Sequence, residues 1–168
     1  QALQCSTSSD PNLCWSGLLV CTGLRPIEIV KMGKFSTKLN NQQEHGAWWA
    51  CQTRFAKRGT MKTNFNECRD GPFLAPHWLI ERAIAIVRKR WPVKHLSNVE
   101  TNSKCSTHWQ NTLQKAHPML PGCTAKLFRR FFAACAHECF SKGFFIGGRS
   151  QASQVGFTSW TLGHAQLE

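Results

Sequence analysis

The stretch from Leu13 to Cys21 is almost wholly apolar and is bounded as a buried helix would be, with Asp10-Pro11-Asn12 opening it and Gly23 stopping it. Pro26 then suits the first position of a second, shorter helix over 27–32. From Lys34 to Gly46 the chain is polar and includes Asn40 and Asn41, which predicts a loop. Residues 48–55 have strand character, Lys57-Arg58-Gly59 reads as a turn, and a second strand is expected over 60–65, giving a small basic hairpin. Asp70-Gly71-Pro72 reads as a break. Beyond it, Leu79, Ile80, Ala83, Ile84 and Val87 recur at helical spacing and predict an amphipathic helix over 75–90, closed by Trp91-Pro92. The mixed, polar stretch 93–122 holds one expected helix at 107–115. Thr124 reads as the N-cap of a helix reaching about Phe140, with Phe128, Phe131, Phe132, Cys135 and Cys139 on its apolar, core-facing stripe. The pattern predicts a mainly α fold with a small β-hairpin or sheet.

At 168 residues the chain suits a single core. Residues 1–12 are expected as a polar N-terminal segment and 13–168 as the domain proper. Lys and Arg total 21 against 9 Asp and Glu, a net charge of +12, so the molecule's field attracts polyanions, nucleic acid first among them. No apolar run reaches the roughly 18 residues of a spanning helix, and the N-terminus lacks a signal-peptide layout. The expectation is an intracellular protein with no membrane partner. Nine cysteines, an odd number, favour reduced thiols over a disulfide framework. Cys105-x-x-His108 and Cys135-x-His137-x-Cys139 lack a second ligand pair at finger spacing, so neither a metal nor another cofactor is expected.

Three segments occur in an order that carries chemistry: Thr22-Gly23-Leu24-Arg25-Pro26-Ile27-Glu28, Lys126-Leu127-Phe128-Arg129, and Leu162-Gly163-His164. They resemble the first arginine box, the second box and the following Leu-Gly-His of the tyrosine recombinases and phage integrases. Most integrases have His where this chain has Lys126, and Lys-x-x-Arg there resembles the telomere resolvases, or protelomerases. The resemblance implies a recombinase catalytic-domain fold and DNA cleavage and rejoining through a 3′-phosphotyrosyl intermediate, without a metal, in telomere resolution that forms hairpin ends or in site-specific recombination. It further implies that Arg25 and Arg129 clamp the scissile phosphate, Lys126 adds positive charge, and His164 hydrogen-bonds a nonbridging oxygen or assists the nucleophile. A hairpin lysine, Lys57, would protonate the departing 5′ oxygen; Arg54 is its rival, because Gln52-Thr53-Arg54 also overlays the family's Gln-x-Lys. Lys34, Arg54, Arg58 and Arg130 are expected to contact DNA. The implied partner is double-stranded DNA, bound by a dimer or higher assembly, and the implied place is with the DNA, in the nucleoid if the source is a bacterium or phage and in the nucleus if it is a eukaryote.

The same resemblance implies an attacking tyrosine about nine residues beyond His164. The sequence contains no tyrosine and ends at Glu168, so it is expected to be a fragment that also lacks the amino-terminal DNA-clamping domain. Plainer readings stand beside these. Arg25 alone reads as a helix cap, Lys126 and Arg129 as a solvated helix face, His164 as a turn residue and Lys57 as an exposed hairpin tip. Arg88-Lys89-Arg90 either contacts phosphates or favours its helix C-terminus through the dipole. Two rival functions follow: a DNA-binding remnant without chemistry, or a basic ribonucleoprotein component in which charge is merely spread over the surface.

Overall fold

The computed structural model describes residues 2–36, 49–53, 69–140 and 157–158. Along the chain these form α1 (Ala2–Thr7), α2 (Pro11–Thr22), a π-helix (Glu28–Met32), β1 (Lys34–Ser36), β2 (Trp49–Thr53), β3 (Arg69–Pro72), α3 (His77–Arg90), α4 (Asn98–Ala116) and α5 (Ala125–Phe140). The mainly α architecture with a small sheet is the one the sequence pattern predicts.

Helix α2 is the hub. The Asp10 carboxylate accepts the Asn12 N–H at 2.8 Å, Pro11 occupies the first turn, and every residue from Cys14 to Thr22 is buried. A helix apolar on all sides must be surrounded, and α1, α3, α4 and α5 all pack against this one. Full burial of a side chain such as Leu18 or Leu19 contributes about 1.5–3 kcal/mol, so α2 is the main apolar anchor. Trp15 stacks on Trp109 of α4 with ring centroids 5.9 Å apart. In α1 Ser6 is buried with its Oγ 3.8 Å from Cys21 Sγ, and Arg82 of α3 donates to the Thr7 carbonyl at 3.0 Å.

Helix α3 buries the five residues its spacing predicts, Leu79, Ile80, Ala83, Ile84 and Val87. Helix α4 is much longer than expected and begins at Asn98, because Ser97 and Glu100 form a reciprocal capping box: Ser97 Oγ accepts Glu100 N at 3.2 Å and Glu100 Oε2 accepts Ser97 N at 2.7 Å. Two segments read as loop and break are strands. β1 pairs antiparallel with β2 (Phe35 opposite Gln52) and β3 pairs antiparallel with β2 on its other side (Ala50 opposite Gly71), giving the order β1-β2-β3. Gly71 and Pro72 are tolerated because, among the described strands, β3 lies at the edge and ends at the proline. The expected turn 57–59 and strand 60–65 lie outside the described residues, as do residues 143–156 and 159–168.

Thr124 caps α5, its Oγ1 accepting Leu127 N at 3.2 Å. The stripe α5 presents inward is Phe128, Phe132, Ala133 and Ala136, whereas Phe131 is 55 % exposed and Cys139 exposed. Phe131 fails as a core residue because the helix turns its buried side along the 128, 132, 136 row. In the connection before α5, the buried His117 ring packs 4.8 Å from Phe128, and its Nε2 has no hydrogen-bond partner among the described residues. Burial pushes the His117 imidazole below its ordinary value. A histidine with a depressed folded pKa destabilises the fold once the unfolded chain can take up a proton, so stability should be lost as pH falls through about 6.5. Urea titrations at pH 7.5, 6.0 and 5.0 should show that loss, and His117→Phe should reduce its pH dependence; an unchanged slope in the variant would count against this assignment.

Candidate functional site

The site is built at the C-terminal end of α2. Gly23 closes the helix in the left-handed conformation, φ +62°, donating its N–H to the Leu19 carbonyl at 3.1 Å. Thr22 Oγ1 donates to Leu18 O at 2.6 Å and accepts Leu24 N at 3.2 Å, so the exit path of the chain is fixed by side-chain bonds as well. Helix α5 lies directly on this turn: a Cβ on Gly23 would fall 2.1 Å from Phe132 Cδ1. That close approach brings Arg129, three residues before Phe132, near enough for its Nε to donate to the Gly23 carbonyl at 2.6 Å.

Arg25 follows the same turn and starts the next helical segment, with Pro26 at its first position. Glu28 reaches back to it twice: Oε2 accepts the Arg25 backbone N–H at 2.8 Å and Oε1 accepts Arg25 Nη1 at 3.0 Å. The pair is well removed from water, with side chains 16 % and 3 % exposed. An unpaired carboxylate so buried would be costly, and these two bonds offset that cost while fixing the guanidinium plane. The segment Glu28–Met32 is a π-helix, a rare form that concentrates at functional sites.

Arg129 is pushed down to about 10, chiefly by burial and secondarily by the positive charge of Arg25, against which Glu28 acts. It remains a cation at neutral pH. Two guanidiniums and one carboxylate thus meet in a partly desolvated niche. Lys126 is exposed, one turn before Arg129, and lines a cavity of about 340 Å³ together with Pro26, Trp15 and Trp109.

The structure therefore brings Arg25, Arg129 and Lys126 to one end of α5. Lys34 on β1 and Arg130 on α5 are exposed outside the niche. Arg54, Lys57, Arg58 and His164 lie outside the described residues, although β2 ends at Thr53, immediately before Arg54. Two participants escape the reading of the sequence as site residues. Glu28 was legible, standing three residues after Arg25 at capping-box spacing; Arg88, which bonds to the π-helix, carries no local signal. Among the described residues, no group of three or more His, Cys, Asp or Glu side chains gathers to hold a metal.

A family model described as the telomere resolvase ResT/TelK catalytic domain matches residues 2–168. Among solved structures, protelomerase TelA covalently complexed with substrate DNA superposes with a TM-score of 0.78 at 20% identity, covering 99% of this chain and 52% of that one. A TelA mutant complexed with DNA hairpin product gives 0.77 at 20% identity over 99% and 52% of the two chains. Protelomerase TelK complexed with substrate DNA gives 0.71 at 17% identity over 96% and 31%. The chain thus shares their fold and spans at most about half their length. No curated protein matches the sequence.

Gly23 and Gly122 provide a matched pair for testing the turn, since both have positive φ, +62° and +71°, but among the described residues no atom lies within 4 Å of a Cβ placed on Gly122. Gly122→Ala should cost only left-handed strain, about 1–2 kcal/mol. Gly23→Ala must add displacement of the Phe132 ring, about 1–3 kcal/mol more. Chemical denaturation of the two variants measures the difference; equal losses would show that α5 does not press on the turn.

Proposed function

Because the chain belongs to the telomere resolvase ResT/TelK catalytic-domain family, we propose that it holds a scissile DNA phosphodiester between Arg25 and Arg129 in a reaction that cuts and reseals DNA, closing the ends as hairpins. The observation that carries this reading is the pair of guanidiniums fixed around one turn, Arg25 by the Glu28 carboxylate and Arg129 by the Gly23 carbonyl. Attack on a phosphodiester raises negative charge on the nonbridging oxygens, and planar guanidinium forks set in advance stabilise that charge without reorganising.

The proposed chemistry proceeds in two balanced exchanges. A tyrosine oxygen attacks the phosphorus, a 3′-phosphotyrosyl bond forms, and the 5′ oxygen leaves with a proton; a 5′ hydroxyl then attacks the same phosphorus and releases the tyrosine. The nucleophile is not among these 168 residues, which contain no tyrosine. Within this scheme Lys126 adds positive charge at the rim of the clamp. Lys57, with Arg54 as its rival, supplies the proton to the leaving 5′ oxygen, and His164 hydrogen-bonds a nonbridging oxygen or assists the nucleophile. Lys34, Arg54, Arg58 and Arg130 contact the DNA backbone. Duplex DNA is the partner, engaged by a dimer or larger assembly wherever the cell holds its DNA. The net charge of +12 draws the duplex in, and among the described residues no helix is long and apolar enough to cross a membrane.

Salt dependence of binding distinguishes a localised clamp from diffuse charge. For a short duplex, Arg25→Ala should weaken affinity and lower the slope of log K against log salt by about 0.9, the amount expected for one lost phosphate contact. Lys89→Ala, at an exposed position on α3, should change the slope far less. Equal, small effects of the two substitutions would instead favour a basic protein that spreads its charge over nucleic acid.

A further inference from the structure

Arg88 lies in the last turn of α3, in a basic run that reads as a phosphate contact or a helix-dipole partner. Its side chain turns instead to the π-helix. Nε donates to the Ile29 carbonyl at 2.9 Å, and Nη2 donates to the carbonyls of Glu28 at 3.1 Å and Gly33 at 2.6 Å. All three acceptors belong to the π-helix or the residue that ends it, more than fifty positions away in sequence.

A π-helix closes with wide i to i+5 bonds, here Gly33 N to Glu28 O at 2.8 Å, and such turns need outside support to persist. A Cβ at Gly33 would lie 2.8 Å from that same Glu28 oxygen, so the crowded junction accepts only glycine without a shift. The base of Arg88 is firmly placed, because Ile84 and Val87 on the same helix are buried in the core. On the other side Lys31 Nζ donates to the Leu96 carbonyl and, at 3.1 Å, to Asn98 Oδ1. The segment that carries Glu28 is thereby tied to α3 and to the start of α4. Its carboxylate in turn receives the Arg25 backbone N–H and Nη1.

We infer that Arg88 is a positioning residue for the clamp: by gathering three carbonyls of the π-helix it holds Glu28 where its carboxylate sets the Arg25 guanidinium. The inference rests on the phosphate-clamp reading for its consequence on DNA, but its structural half stands without DNA. The planar guanidinium presents Nε–H and Nη2–H along one edge and reaches all three oxygens; a lysine carries its donors on one nitrogen and cannot reproduce that edge. Burial pushes the Arg88 pKa down, as expected for a group directed into the fold rather than toward solvent.

The test uses the full chain labelled with 15N, read through the arginine Nε–Hε resonances. Without DNA, Arg88→Lys should shift or broaden the Arg25 resonance, while Lys89→Ala leaves it in place. An Arg25 resonance unmoved by Arg88→Lys overturns the inference, whatever the clamp does. On duplex DNA, Arg88→Lys should weaken binding by roughly two- to thirty-fold, and this loss should vanish when Arg25 is already alanine. A loss of equal size in the Arg25→Ala background overturns the inference, because Arg88 would then act independently of Arg25. An Arg25→Ala variant that binds like the parent overturns the clamp reading itself, and the DNA-free resonance still decides the structural half. Should Arg88→Lys not fold, the unsubstituted chain decides: DNA should shift the Arg25 resonance and leave Arg88 nearly still, and an equal shift at Arg88 would mean direct phosphate contact.

Discussion

One carboxylate buried between cations governs the geometry of this molecule's site. Glu28 is 3 % exposed and meets Arg25 through both a backbone N–H and a guanidinium N–H. Removing a carboxylate from water is costly unless it is paired and hydrogen-bonded. Once both bonds are made, Arg25 has few alternative positions. Arg129 arrives independently, through its bond to the Gly23 carbonyl, and the repulsion between the two guanidiniums is moderated by the same Glu28. In the proposed clamp, these two guanidiniums are the groups a phosphate would meet.

Backbone features usually regarded as local here serve a tertiary purpose. The left-handed Gly23 lets α5 approach until Phe132 lies against the turn, and only at that separation can Arg129 reach the Gly23 carbonyl. The π-helix widens the segment after Arg25, leaving carbonyls that Arg88 satisfies from α3. Neither arrangement would persist alone. The apolar core around α2, including the Trp15 stack on Trp109, supplies the rigid frame against which both are held.

The parts legible in the sequence are those whose causes are local. Asp10, Pro11 and Gly23 mark the limits of α2, the periodicity of Leu79 to Val87 marks α3, and Thr124 starts α5. The order of the Arg25 and Arg129 segments pointed to the family that the match over residues 2–168 then showed. Short strands were lost because three- and four-residue segments such as β1 and β3 owe their form to pairing with β2 rather than to their own composition. The start of α4 was missed although Ser97 and Glu100 signal it, since the polar stretch after them dilutes the periodicity. Arg88 was unreadable for a stronger reason: its acceptors are 55 to 60 residues away.

The most direct measurement is a crystal structure of the full chain bound to a duplex oligonucleotide. The account predicts one backbone phosphate with its nonbridging oxygens within hydrogen-bond distance of both Arg25 and Arg129, while the Arg25–Glu28 pair and the Arg129 bond to Gly23 remain in place. A duplex held elsewhere on the basic surface, or a phosphate bound only after Arg25 leaves Glu28, would contradict a clamp set in advance by the fold.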